Sequence, residues 1–232
     1  MIGKRASGRR EGDEIRSHEF RDSLVVVTAA ELLALAELPA SERDAALDTL
    51  LDLTPPRDSS SPGDNLIGYH ASGLAPVCRA VLDVPMMASD VFIDLGAGRG
   101  RVVAIVSALT RSRTRGIELQ PELVAAPARG VTLEHADART ASLDDGTVFF
   151  LYTPFTGSVL AEVLSRLELV ARHHAIVVCA LGFTLPCAWL TPRETDAFWL
   201  TIYDSVVAGV PSRTSTSQVP DERLVRLAHE RR

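Results

Sequence analysis

Two hydrophobic periodicities divide the chain. Near the N-terminus apolar residues recur at helical spacing: Leu32, Leu33, Leu35, Ala36 and Leu38, then Ala45, Ala46, Leu47, Leu50 and Leu51. Thr28 and Glu31 stand at capping-box spacing ahead of the first stripe, and Ser41 opens the second. From Asn65 onward the pattern changes. A helical stripe of Leu74, Val77, Cys78, Val81 and Leu82 follows Ser72, with Pro76 tolerable in a first turn whose amides are unpaired. Short apolar, β-branched runs then appear at 91–95, 115–119, 131–135, 147–152 and 175–180, most of them separated by helical stretches at 101–109, 121–128 and 158–170. Strands this apolar, alternating with helices, predict a parallel sheet covered on both faces. Runs at 188–191 and 198–204 predict an antiparallel hairpin at the sheet edge.

The expected organisation is a mobile arm over 1–23, a helical lobe with its linker over 24–64, an α/β domain over 65–210 and a tail over 211–232. The arm mixes both charge signs with few apolar residues, and 54–64 is rich in Pro and Ser. A short charged helix is expected within 220–232. The stripes of 24–53 predict packing against the main domain or a homodimer contact, since they would otherwise be exposed.

Composition narrows the classes. The chain has 232 residues, 46% hydrophobic and 23% charged, which suits a globular protein with a real core. Its net charge of −6 argues against a phosphate-tracking nucleic-acid surface, which needs a basic excess. No run approaches the roughly 18 apolar residues of a membrane helix, and the charged first twenty residues lack the apolar core of a signal peptide. Cys78, Cys179 and Cys187 are odd in number and lack CxxC spacing, so a cytoplasmic protein with reduced thiols is expected. His135, His173 and His174 have no ligand-like spacing, and no metal site is predicted.

The chemistry concentrates after the first strand. That strand runs through Asp94 into Gly96, Gly98 and Gly100, and a helix starts at once. Glycines let the backbone pass close to a ligand where a Cβ would clash. Glu118 closes the next strand, where a carboxylate can accept both hydroxyls of a ribose. A dinucleotide fingerprint would place its third glycine where Arg101 stands. The GxGxG form, with Asp94 two residues ahead, matches the first motif of S-adenosylmethionine (SAM) methyltransferases. A plain tight turn is the structural alternative. Asp137, after the third strand, is placed to accept from an adenine amino group, or to cap a helix. The fourth strand leads into Tyr152, Thr153, Pro154 and Phe155, a loop beside the expected sulfonium position. Arg99 and Arg101 open a helix whose positive end disfavours them unless an anion compensates, and the carboxylate of an amino-acid cofactor is one such anion.

From Asp94 through Phe155 the chain resembles the class I SAM-dependent methyltransferases. Over roughly 65–205 it resembles more closely the non-SET histone lysine methyltransferases and their bacterial relatives. That resemblance implies a Rossmann-like methyltransferase fold with SAM as cofactor. It puts Tyr69, Ser72, Asp94, Gly96, Gly98, Glu118 and Asp137 on cofactor-binding positions, with Ser72 standing where the family has Thr. It also puts Thr153 on the family's substrate-side Asn. The basic nucleosome-binding extension is missing, so the histone substrate does not carry over.

Methyl transfer requires a nucleophile held about 3–3.5 Å from the activated carbon, in line with the breaking bond. Tyr152, Thr153 and Tyr69 are the candidate catalytic residues, and His70 is a candidate base. The reading is a methyltransferase acting on a small molecule or a protein side chain. The alternative is a catalytically silent SAM-binding scaffold, suggested only by Thr153.

Overall fold

A computed structural model describes residues 26–56, 60–195, 197, 199–211, 213 and 221–229. The arm expected at 1–23 lies outside the described residues. The tail expected at 211–232 is described at 211, 213 and 221–229.

The lobe comprises α1 (Ala29–Ala34), a 3-10 turn (Leu35–Glu37) and α2 (Ala40–Leu50). The capping box forms: the Glu31 amide donates to Thr28 Oγ1, and the Glu31 carboxylate accepts the Thr28 amide at 2.8 Å. The α/β part follows as α3 (Leu74–Asp83), β1 (Val91–Leu95), α4 (Arg101–Leu109), β2 (Arg113–Glu118), α5 (Pro121–Val124), β3 (Glu134–His135), β4 (Val148–Leu151), α6 (Gly157–Ala171), β5 (Val177–Leu181), β6 (Leu190–Pro192), β7 (Leu200–Ser205) and α7 (Glu222–Ala228).

The seven strands form one sheet in the order β3-β2-β1-β4-β5-β7-β6. β1 through β5 pair in parallel, and β7 is antiparallel to both β5 and β6, so the expected hairpin is present at the edge. Period-two alternation divides the strand side chains between two cores. Phe92, Val148, Phe150, Val177 and Cys179 join α3, α4, α7 and the lobe on one face. Val91, Ile93, Leu95, Phe149, Leu151 and Val178 join α6 on the other. Both faces are covered, which is why the strands read as unbroken apolar runs.

The lobe stripes are spent inside the chain. Leu32, Leu33, Leu35, Leu47 and Leu51 are buried in the same core as α3 and α4. α7 belongs there too: Leu227 and Ala228 are buried, the Arg226 carbonyl accepts from Arg43 at 3.0 Å, and the Arg226 guanidinium pairs with Glu37 at 2.9 Å.

Three elements are shorter or shifted relative to expectation. β3 pairs only at Glu134 and His135, because Val131 and Leu133 turn their side chains over Gly100 instead of extending the ladder. The apolar run signals burial, not pairing. α5 stops at Val124, ahead of Pro127, and the freed backbone meets Arg99: its Nε donates to the Ala126 carbonyl at 2.5 Å, and its carbonyl accepts the Ala128 amide at 2.7 Å. α2 begins at Ala40 with Pro39 as its N-cap, so Ser41 is already helical.

Candidate functional site

The strand order reverses between β1 and β4, and a crevice opens at the carboxyl ends of the strands there. It encloses about 900 Å³ counted to its open mouth. Each element delivers a predicted residue to it. Asp94 comes from the end of β1, Glu118 from the end of β2, Asp137 from just past β3, and Tyr152 and Thr153 from just past β4. Gly96, Gly98, Arg99 and Arg101 come from the turn into α4, and Tyr69 and Ser72 from the segment before α3. All eleven predicted site residues line this one cleft, and His70 lines it with them.

The glycines are required by close approach. Gly96 has φ +79°, and a Cβ there would run into the Pro154 ring. Gly98 has φ +56°, and a Cβ would lie 2.7 Å from the Tyr69 ring. The turn is therefore roofed from two sides, by the β4 loop and by the segment carrying Tyr69. Those roofs are laced together: the Ile67 amide donates to the Pro154 carbonyl at 3.0 Å, and the Thr156 amide to the Asn65 carbonyl at 2.8 Å.

Asp94 is 3% exposed, and no described residue donates a hydrogen bond to its carboxylate. Burial, with the neighbouring Glu118 charge second, pushes its carboxyl up to about 8. Glu118 is 5% exposed; its Oε2 accepts the Gly98 amide and its Oε1 the Gln120 amide, both at 2.8 Å. Burial raises its pKa, opposed by those backbone donors. A carboxylate offers about four lone-pair sites, so roughly two remain for a ligand. Asp137 is held by Arg139, whose Nη2 donates to Oδ2 at 2.7 Å, and that bonding keeps its carboxyl below the ordinary range.

Arg99 and Arg101 have found anionic or carbonyl partners within the chain. Arg99 Nη1 donates to the Thr54 carbonyl. Arg101, 4% exposed, donates from Nη1 to Asp48 and from Nη2 to Asp44, both on α2. A cation at a helix N-terminus does acquire a compensating anion here, and α2 supplies it. Sequence reasoning misses these two acids. Their i, i+4 spacing puts them on one face of α2 but does not name the partner.

Thr153 adopts φ +41°, a left-handed conformation rare for a β-branched residue, and its Oγ1 donates to the Leu181 carbonyl at 3.1 Å. Asn takes that conformation readily. The residue type therefore departs from the resembled family, while the backbone keeps a shape that suits Asn. His70 is exposed, and its Nδ1 lies 2.9 Å from the Gly68 carbonyl. A carbonyl only accepts, so Nδ1 carries the proton and Nε2 of the neutral ring is left as an acceptor.

Parallel strands with an antiparallel β7 inserted between β5 and β6, and a cleft at the β1/β4 reversal, define a Rossmann-like methyltransferase fold. No family profile matches the chain, and no curated protein matches it. Among solved structures it is similar to an RNA methyltransferase from Salinibacter ruber in complex with S-adenosyl-L-homocysteine, with 21% identity over 61% of this chain and 97% of that one, at TM-score 0.47. It is also similar to a putative RNA methyltransferase from Pyrococcus horikoshii, with 17% identity over 72% of this chain and 98% of that one, at TM-score 0.44. A SAM-dependent methyltransferase from Aquifex aeolicus shares 12% identity over 58% of this chain and 91% of that one, at TM-score 0.44. The fold assignment rests on this chain's own strand order and register.

Proposed function

We propose that the protein is a SAM-dependent methyltransferase whose cofactor lies in this cleft. The observation that carries the reading is the pair of buried carboxylates at the ends of β1 and β2, arranged around a glycine turn that only glycines fit. Asp94, without a donor from the described residues, suits the ammonium of an amino-acid cofactor. The remaining lone pairs of Glu118 suit ribose hydroxyls. Tyr69 and Ser72 line the cleft and offer hydroxyls to a carboxylate, and Arg99 and Arg101 line it with them. Asp137 also lines the cleft, and its carboxylate suits the adenine amino group.

Bound SAM supplies an activated methyl on a positive sulfur. The chain's part is to hold a nucleophile in line with it and to keep water away. The Tyr152-Thr153-Pro154 corner borders the acceptor side, with Thr153 fixed by its bond to the Leu181 carbonyl. His70 Nε2 takes the proton of an acceptor that arrives protonated. The acceptor is a small molecule or a protein side chain.

The finer likeness to bacterial relatives of the non-SET histone lysine methyltransferases belongs to this proposal, supported by Tyr69, Ser72 and the 147–157 segment. So does the division into a lobe at 24–64 and a catalytic domain at 65–210. Among the described residues no helix is long and apolar enough to cross a membrane. A cytoplasmic location is proposed from the three thiols, of which Cys78 and Cys179 are buried.

Calorimetry with S-adenosylhomocysteine tests the reading. Glu118→Ala is expected to weaken binding by about 1.5–3 kcal/mol, the scale of hydrogen bonds to a charged group. Unchanged affinity in that variant would contradict the assignment. A panel of amine, hydroxyl and carboxyl acceptors, assayed for S-adenosylhomocysteine release, then sorts the substrate class.

A further inference from the structure

Asp44 and Asp48 lie one helical turn apart on α2, and neither lines the cleft. Both nevertheless reach it through Arg101, which does line it. Asp44 Oδ1 also accepts the Leu74 amide at 2.8 Å. Leu74 opens α3, and its N-cap, Gly73, has no side chain to satisfy the orphan amides of the first turn. One carboxylate oxygen thus joins three segments: the lobe, the end of the stretch that carries Tyr69 and Ser72, and the helix start after the glycine turn.

The Arg101 side chain is 5% exposed and those of Asp44 and Asp48 are 53% and 41% exposed, so the two acids neutralise a buried cation from the rim of α2. They also fix its direction. A guanidinium has five N–H donors in a rigid fork. Two of those of Arg101 are tied to α2, and its Nε–H is buried with no partner among the described residues. Arg101 lines the cleft, and its charge acts on the Tyr69 hydroxyl there, opposing the burial that raises that hydroxyl's pKa.

We propose that Asp44, supported by Asp48, is a positioning residue for the amino-acid end of the cofactor cleft: it holds Arg101 and the Ser72–Leu74 backbone together so that a ligand carboxylate meets the Tyr69 and Ser72 hydroxyls beside the Arg101 guanidinium. The inference rests on the cofactor reading above. It makes the N-terminal helices part of the binding site although none of their side chains touches the ligand.

The test is calorimetric titration of the full chain with S-adenosylhomocysteine, its decarboxylated analogue and 5′-methylthioadenosine. Asp44→Ala is expected to weaken S-adenosylhomocysteine binding about tenfold, the low end for a charge-assisted hydrogen bond, and the two ligands without a carboxylate by less than about twofold. Asp44→Asn keeps an acceptor oxygen and is expected to recover most of the loss. Asp48→Asn touches Arg101 without touching Leu74, and carries the test if Asp44→Ala unfolds; about threefold is expected, again confined to the carboxylate ligand. Equal losses for all three ligands would mean that the acids serve stability alone, and tighter S-adenosylhomocysteine binding would mean that they compete for Arg101. Either result overturns the inference and leaves the cofactor reading standing. A wild-type protein that binds none of the three overturns both.

Discussion

The two ends of the cleft are built differently. At the β1–β2 end the polar atoms are held by the backbone or buried beside it: Glu118 accepts two amides, Asp94 is almost wholly enclosed, and each glycine of the turn faces a neighbour that leaves no room for a Cβ. At the β4–β5 end Tyr152 and a strained Thr153 are half-exposed, and His70, on the Tyr69 segment before α3, is exposed. The first end is a fixed mould for one ligand. The second is a set of adaptable groups on loops, the part of such folds where substrate choice resides.

That contrast breaks most visibly at Gly96. Gly96→Ala puts a methyl into the Pro154 ring at a positive φ, and is expected to cost about 3 kcal/mol of stability from overpacking and backbone strain together. Urea unfolding measures it, and a loss under about 0.5 kcal/mol, the scale of an inconsequential surface change, would show that the turn is not tightly roofed. Among the exposed groups, His70→Gln is expected to lower kcat about a hundredfold, the lower range for a general base, while S-adenosylhomocysteine affinity stays unchanged. Equal kcat in the variant would remove His70 from the chemistry. The smallest effect is expected at Thr153. Thr153→Asn relieves a β-branched residue at positive φ but gives up the bond to the Leu181 carbonyl, so stability should shift by less than about 1 kcal/mol in either direction. Thermal unfolding checks that, and a turnover assay shows whether an amide at this corner changes acceptor preference.

The same contrast explains what is legible in the sequence. β1 and α4 lie where periodicity puts them, because a doubly buried strand and a helix after a glycine turn are dictated locally. Asp94 and Glu118 are legible as cleft residues for the same reason, since each lies at the end of a strand whose register is set by burial, whereas Tyr69 and Ser72 lie outside any strand. The run at 131–135 overstates β3, since apolar residues report that side chains are buried and not that the backbone pairs. The partners of Arg101 escape notice because they come from α2, and nothing in either segment encodes the docking of one on the other. Thr153 stands out as a departure in residue type, but its left-handed backbone follows from packing against β5 and has no sequence signal.

In the proposed reading the fixed end of the cleft turns on Asp94, which takes a cationic group of the cofactor. Its carboxyl is pushed up to about 8, so at neutral pH the ligand-free protein holds it mostly protonated. The folded value lies above the unfolded one of about 3.9. This group's contribution therefore favours the folded state most at low pH, and it is lost as pH rises through about 8. Pairing with an ammonium requires the ionised form, and ligand binding at pH 7 must therefore release a proton. Titration of S-adenosylhomocysteine in buffers of different ionisation enthalpy measures this directly. The expected result is release of close to one proton per ligand at about pH 7, falling as pH passes about 8, and abolished in Asp94→Asn. Binding heats that do not depend on the buffer at neutral pH, and that match between the wild type and Asp94→Asn, would contradict this role for Asp94.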